Sequence, residues 1–146
     1  MTAAVKYSSL LTEKGIRASP QRIAIIQYVY ENRIHPTVDA VYSALSPDYP
    51  TLSRTTVYNT LHLFAEKKLV NVVTIEGDEL RYDGELSPHF HFKCTRCGKL
   101  FDMPFDPKSE KVFSACSKLL PEGFSLEATE LNMRGICPEC GGKNNQ

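Results

Sequence analysis

Residues 53–83 read SRTTVYNTLHLFAEKKLVNVVTIEGDELRYD. Their hydrophobic pattern changes period midway, and that change decides the fold. In the first part Val57, Leu61 and Phe64 recur at spacings of four and three, one face of a helix. Arg54, Thr55, Tyr58, Asn59 and His62 fall largely on another face. Ser53 occupies the N-cap position, so a helix is expected over SRTTVYNTLHLFAEKKL. After it, Leu69–Ile75 and Glu79–Asp83 read as two strands around the polar turn Glu76-Gly77-Asp78.

Upstream the chain is helical in period. Val5–Lys14 forms a first segment stopped by Gly15. Ser19 caps a second helix with Pro20 in its first turn, where a missing N–H costs nothing. The run Ile23, Ile25, Ile26, Val29, Tyr30 fills that helix, which ends before His35-Pro36. Thr37 caps a third, with Val38, Val41, Tyr42 and Leu45 on one face, broken by Ser46-Pro47. Short helices ending in a hairpin suggest a winged helix-turn-helix over residues 1–83. Residues 84–88 read as a hinge, and residues 89–146 as a second domain. There His89–Cys94 and Lys99–Met103 are strand candidates, Lys108–Leu120 is helical, and Phe124–Arg134 is a further strand. Lys143–Gln146 is a frayed tail. The fold class is α+β.

Composition bounds the function. The chain has 146 residues, enough for one domain or two small ones, and 42% hydrophobic with 23% charged residues is a globular balance. No apolar run approaches the roughly 18–20 residues that span a bilayer. The N-terminus lacks a secretory pattern, so the expected location is the cytoplasm, where thiols stay reduced. Formal charge is zero, but it is unevenly placed. Residues 1–70 carry eight Lys/Arg against five Asp/Glu, and residues 71–146 carry nine against twelve. The helical half is the basic one.

Four of the five cysteines form Cys94-x-x-Cys97 and Cys137-x-x-Cys140. Each such knuckle delivers two thiolates from one turn, and two knuckles supply the four soft ligands of a tetrahedral structural zinc. A redox role for either pair expects a thioredoxin-like βαβ context, which is missing. The 39 residues between Cys97 and Cys137 exceed a usual zinc ribbon, so a helix and a strand are inserted between the knuckles. Cys116 is left over, on the apolar side of its helix, where a free cysteine usually serves as a small core residue.

His89-Phe90-His91 puts two imidazoles on one face of a strand. With His35, Asp83 and Asp102 they make three histidines and two carboxylates, a donor set for Fe(II), Mn(II) or Zn(II). Ordinary solvated histidines are the other reading, above all for His35 taken alone. The helix from Ser53 presents hydroxyls, an amide, a guanidinium and an aromatic near its N-terminus, as a recognition helix does and as any polar helix face can. The basic balance of this half favours DNA. His62 is either a DNA or a solvent contact.

In order along the chain, Ser19-Pro20-Gln21-Arg22, His35-Pro36-Thr37, Thr55-Thr56-Val57-Tyr58, Arg81-Tyr82-Asp83, His89-Phe90-His91 and both CxxC pairs resemble the ferric uptake regulator (Fur) family. The resemblance spans roughly residues 6–141. It implies a non-enzymatic, metal-dependent repressor, with an N-terminal winged-helix domain and a C-terminal α/β dimerisation domain over residues 89–146. It implies a homodimer on a palindromic operator. Carried over residue by residue, structural zinc belongs to Cys94, Cys97, Cys137 and Cys140. The regulatory ion belongs to His35, Asp83, His89, His91 and Asp102. Tyr58 falls at a DNA-contacting tyrosine and Arg22 at an arginine of the DNA-binding domain; Arg54, Thr55 and Asn59 join them as candidate contacts.

Iron-sensing members typically carry a histidine-rich stretch before His-x-His and a further histidine near the C-terminus. Here Ser87-Pro88 precede it and no histidine follows His91. With Asp102 where iron sensors often use glutamate, the set is more similar to the peroxide-responsive PerR branch. That branch holds Fe(II) or Mn(II), and peroxide oxidises a ligand histidine in the iron form, His35 or His89 by position. The alternatives are an iron- or manganese-responsive repressor without peroxide sensing, and a CxxC thiol oxidoreductase.

Overall fold

The computed structural model describes residues 2–74, 79–86 and 89–142. The turn Glu76-Gly77-Asp78, the Ser87-Pro88 part of the expected hinge and the tail Lys143–Gln146 lie outside the described residues. The chain divides into two units, Met1–Leu86 and Ser87–Gln146. No described helix is long and apolar enough to cross a membrane.

The first unit holds α1 (Ala3–Glu13), α2 (Pro20–Glu31), α3 (Val38–Leu45) and α4 (Arg54–Glu66), then β1 (Asn71–Val73) and β2 (Arg81–Asp83). Three of the starts rest on caps read from the sequence. Ser19 accepts from the Arg22 N–H, Thr37 from Ala40 and Ser53 from Thr56, each satisfying one orphan donor of the first turn. Every helix gives residues to one core. Leu11, Ile25, Val41, Leu61 and Phe64 are fully buried in it, and Tyr82 of β2 closes it. The hairpin is antiparallel, with Val72 opposite Tyr82 and Asn71 opposite Asp83.

α4 stops earlier than its hydrophobic pattern suggested, at Glu66 rather than Leu69. The Lys68 N–H donates to Ala65 O and the Leu69 N–H to Phe64 O, while Lys68 takes φ +60°. This is a Schellman ending. α1 ends in the same way at Gly15, φ +74°, with Ile16 N–H donating to Leu11 O. Glycine supplies the left-handed turn without strain in one case, and a lysine carries it in the other.

The second unit holds β3 (His89–Cys94), β4 (Leu100–Pro104), α5 (Pro107–Cys116), β5 (Asn132–Gly135) and α6 (Pro138–Gly142), with a 3-10 turn at Ser117–Leu119. Its sheet has the order β4-β3-β5. β3 and β4 are antiparallel, whereas β5 runs parallel to β3 with Cys94 opposite Gly135. A parallel neighbour needs a crossover, and α5 lies within it. Gly135 packs closely here: a Cβ would lie 3.1 Å from the Phe92 ring, which would have to give by a few tenths of an ångström.

Two expectations fail here. The strand expected over Phe124–Arg134 forms only as Asn132–Gly135, and residues 124–131 make no regular element. Phe124 and Leu126 are exposed, at 68% and 43%, so the alternating pattern has no described surface of this unit to pack on. Cys116 is not a core residue. It is half-buried with its thiol on the Val112 carbonyl at 3.3 Å, and Val112 and Leu119 on its side of the segment are 53% and 81% exposed.

Replacing Lys68 by glycine should relieve the left-handed strain at the α4 terminus. We expect Lys68→Gly to stabilise the protein by about 0.5–1 kcal/mol and Lys68→Ala to give no gain, read from urea unfolding midpoints.

Candidate metal centres and nucleic-acid surface

The thiols of Cys94, Cys97, Cys137 and Cys140 lie within 4.8 Å of one another. A tetrahedron with zinc–sulfur bonds of about 2.3 Å has edges of about 3.8 Å, and the Cys97–Cys137 separation is 3.9 Å. The donor set therefore fits a tetrahedral soft cation. The backbone builds the arrangement. Gly98, φ +77°, lets the first knuckle fold back so that its N–H donates to Cys94 O at 2.9 Å. In the second, Gly141 N–H donates to Cys137 O at 2.8 Å. The parallel β3–β5 register then carries one knuckle to the other, with Thr95 N–H on Gly135 O at 2.8 Å.

The same backbone prepares the sulfurs. N–H groups of Cys97 and Cys137 donate to Cys94 Sγ at 3.5 and 3.4 Å and hold that thiol down to about 6. Cys140 is pushed up to about 12, mainly by hydrogen bonding with Cys137 and then by burial. Four clustered thiols without a cation must keep some protons, and a cation bound by all four displaces them. The sulfurs of the two pairs converge on one point, which is a ligand arrangement and not that of two independent redox pairs.

The second unit also assembles a nitrogen and oxygen cluster. His89 and His91 project to one face of β3, as alternation requires, with their Nε2 atoms 3.1 Å apart. Asp102 is opposite His91 on β4. Its Oδ1 lies 3.2 Å from His91 Nε2 and 3.5 Å from His89 Nε2. Ligand edges of about 3.0–3.4 Å are what a divalent ion with bonds near 2.1 Å spans. The histidine side chains are 9% and 13% exposed and Asp102 is 36% exposed.

The first unit pairs His35 with Asp83, Nε2 to Oδ2 3.4 Å, both buried at 5% and 3% exposure. They lie far apart in sequence and meet because Thr37 bridges to Arg81 and Tyr82 N–H donates to Pro36 O at 2.9 Å. His35 takes φ +54°, a costly conformation for a residue with a side chain. Arg81 Nη1 holds its carbonyl at 3.1 Å, and the Glu85 N–H donates to Asp83 Oδ1 at 2.8 Å. Sequence reading missed both supports. The alternation Arg81-Tyr82-Asp83 is their one signal, since it sends Arg81 and Asp83 to the face opposite buried Tyr82.

The outer face of α4 carries the candidate DNA contacts. Arg54, Tyr58 and His62 succeed one another at one-turn spacing, all exposed, with the Tyr58 and His62 rings stacked at 6.1 Å and 8°. Thr55 and Asn59 are exposed beside them. Arg22 sits at the start of α2, where its Nη1 donates to Arg17 O at 2.8 Å. With Ser19, Gln21, Thr56, Asn59 and Thr60 it lines a polar cleft of about 210 Å³.

The sequence matches the ferric uptake regulator family over residues 13–134. It is 37% identical over 135 residues to the peroxide operon regulator of Bacillus subtilis, covering 92% of this chain and 91% of that one. The fold is similar to the Helicobacter pylori ferric uptake regulator Fur, at TM-score 0.74 and 20% identity over 95% of this chain and 91% of that chain. PerR from Streptococcus pyogenes is 30% identical, with TM-score 0.52 over 96% of this chain and 94% of that chain. The chain belongs to the ferric uptake regulator family and is a PerR-like, metal-dependent transcriptional repressor, not an enzyme.

Proposed function

We propose that the protein is a cytoplasmic homodimer that represses transcription from a palindromic operator and releases it in response to hydrogen peroxide. The observation that carries this reading is the set His35, Asp83, His89, His91 and Asp102. Each unit assembles only part of it, two donors in the first and three in the second. Neither part fills the coordination of a regulatory Fe(II) or Mn(II) by itself. Bound by all five side chains, the ion ties the orientation of the DNA-binding unit to that of its neighbour. The separation of two recognition helices α4 in the dimer would then match successive major grooves. Metal acts by shifting the population toward the DNA-competent dimer.

Fe(II), when bound, supplies redox chemistry toward peroxide that Zn(II) lacks. Hydrogen peroxide places one of its oxygen atoms on an imidazole of His35 or His89 and leaves as water. The modified ring is a poorer donor, and the two units lose a shared ligand. Cys94, Cys97, Cys137 and Cys140 hold structural zinc, whose four protein ligands leave no open position for chemistry. Phe124, Leu126, Leu119 and Met133 of the second unit are exposed apolar side chains that a second copy would cover. Tyr58, Thr55, Asn59, Arg54 and Arg22 face the operator.

Three outcomes test these assignments. Peptide mapping of the Fe(II) form after sub-stoichiometric peroxide should find one added oxygen atom on the His35 or His89 peptide, with loss of operator binding in gel shifts. The Mn(II) form should keep both the mass and the DNA. An unmodified, still DNA-bound Fe(II) form would leave an iron- or manganese-responsive repressor instead. Removing zinc, or Cys137→Ser, should abolish the circular dichroism of the β4-β3-β5 sheet, because metal binding and folding are coupled at such a site. Sedimentation should show Phe124→Glu with Leu126→Glu as a monomer at concentrations where the parent is a dimer.

A further inference from the structure

We infer that Arg54 is a preorganised reader of guanine, braced by Asp39 and Tyr42, so that α3 fixes one position of base preference in each half-site. This rests on the operator-binding reading above. Arg54 is the first residue of α4 and heads the exposed stripe that continues through Tyr58 and His62. Its side chain is 62% exposed, yet two contacts pin it. Nε donates to Asp39 Oδ1 at 2.8 Å, and the guanidinium carbon lies 4.3 Å from the centroid of the Tyr42 ring. These contacts occupy the Nε edge and one face of the plane. Among the described residues nothing is hydrogen-bonded to the two Nη atoms, so the remaining edge is a two-donor fork.

Two acceptors match that fork near a helix N-terminus in the major groove: the N7 and O6 of guanine, or a pair of phosphate oxygens. Asp39 discriminates between them. Its carboxylate is 68% exposed beside the guanidinium, so a phosphate bound there would stand close to a like charge. The edge of a base carries no net charge and meets no such penalty. An ion pair this exposed contributes little to folding. Its effect is to hold a long side chain in one geometry before DNA arrives, which reduces the rotamer freedom lost on binding.

The test is selection from randomised duplex DNA by the full-length, Mn(II)-loaded protein and its variants. The parent should enrich guanine at one position of each half-site. Arg54→Ala should lose that preference by roughly 5- to 150-fold and keep the others. Arg54→Lys should lose it also, since the charge remains without the fork. Asp39→Asn should bind all sequences more tightly, having one fewer negative charge near the phosphates, while its guanine preference falls a few-fold. Tyr42→Leu should lower the same preference. Tyr42 packs against the core, so should that variant unfold, the exposed Asp39 carries the test. If Arg54→Ala weakens all sequences alike and lowers the salt dependence by about one phosphate contact, Arg54 is a backbone contact and the inference is wrong. An unchanged motif, or a base other than guanine at the affected position, overturns it equally. A parent that enriches no sequence sinks the operator-binding reading, and this inference with it.

Discussion

Four thiols stand where the second unit would otherwise need a hydrophobic core. Among the described residues its buried cluster consists of Cys94, Cys137 and Cys140, with Phe92 and Phe101 partly buried against them. The first unit, by contrast, buries aliphatic and aromatic side chains from every helix. A unit of this size with so little apolar burial needs a staple, and convergent cysteines are the group that can supply one. The placement of everything else in the unit follows. Cys94 anchors the end of β3, and β3 carries His89 and His91 on one face with Asp102 across the ladder. A slip of one residue in that strand would turn both imidazoles to the opposite face. The sulfur cluster is thus the reason that the nitrogen and oxygen cluster has a defined geometry.

Much of this was legible in the sequence because it depends on local chemistry. The caps Ser19, Thr37 and Ser53 act through hydroxyls within three residues of their partners. The His-x-His spacing depends only on the strand period. The two CxxC turns depend on neighbouring residues and a glycine. What was not legible depends on distant partners. The pattern over Phe124–Arg134 has the alternation of a strand, but a strand exists only where another backbone pairs with it, and β3 pairs with Asn132–Gly135 and reaches no further back than the Leu131 carbonyl. Cys116 sits on an apolar side of its helix, and that periodicity does not say whether anything in this chain covers it. Tyr42 reads as one more apolar position of its helix; the joint hold of Asp39 and Tyr42 on Arg54 exists only because α3 packs on α4.

The strained backbone at His35 belongs to the same division. Nothing in the string His35-Pro36-Thr37 announces a left-handed residue. The conformation goes with a contact 46 residues away, where Arg81 holds the His35 carbonyl. The β1–β2 hairpin thereby holds the histidine as well as following α4. The β2 strand contributes the Asp83 carboxylate beside His35, Arg81 as the hold on the His35 carbonyl, and Tyr82 as the buried residue that fixes which side each faces.

The parallel pairing of β3 with β5 has a kinetic consequence. Cys94 and Cys137 are 43 residues apart, and their meeting requires the crossover through α5 to close first. The first unit is built mainly from helix contacts between successive segments, and topologies of that kind assemble quickly. Parallel pairing across a long excursion is slow, because the entropy of closing the loop is spent before any ladder bond forms. The two halves of the chain should therefore mature on different clocks. Until that crossover closes the four thiols are not gathered, and each is open to whichever soft metal or oxidant reaches it first.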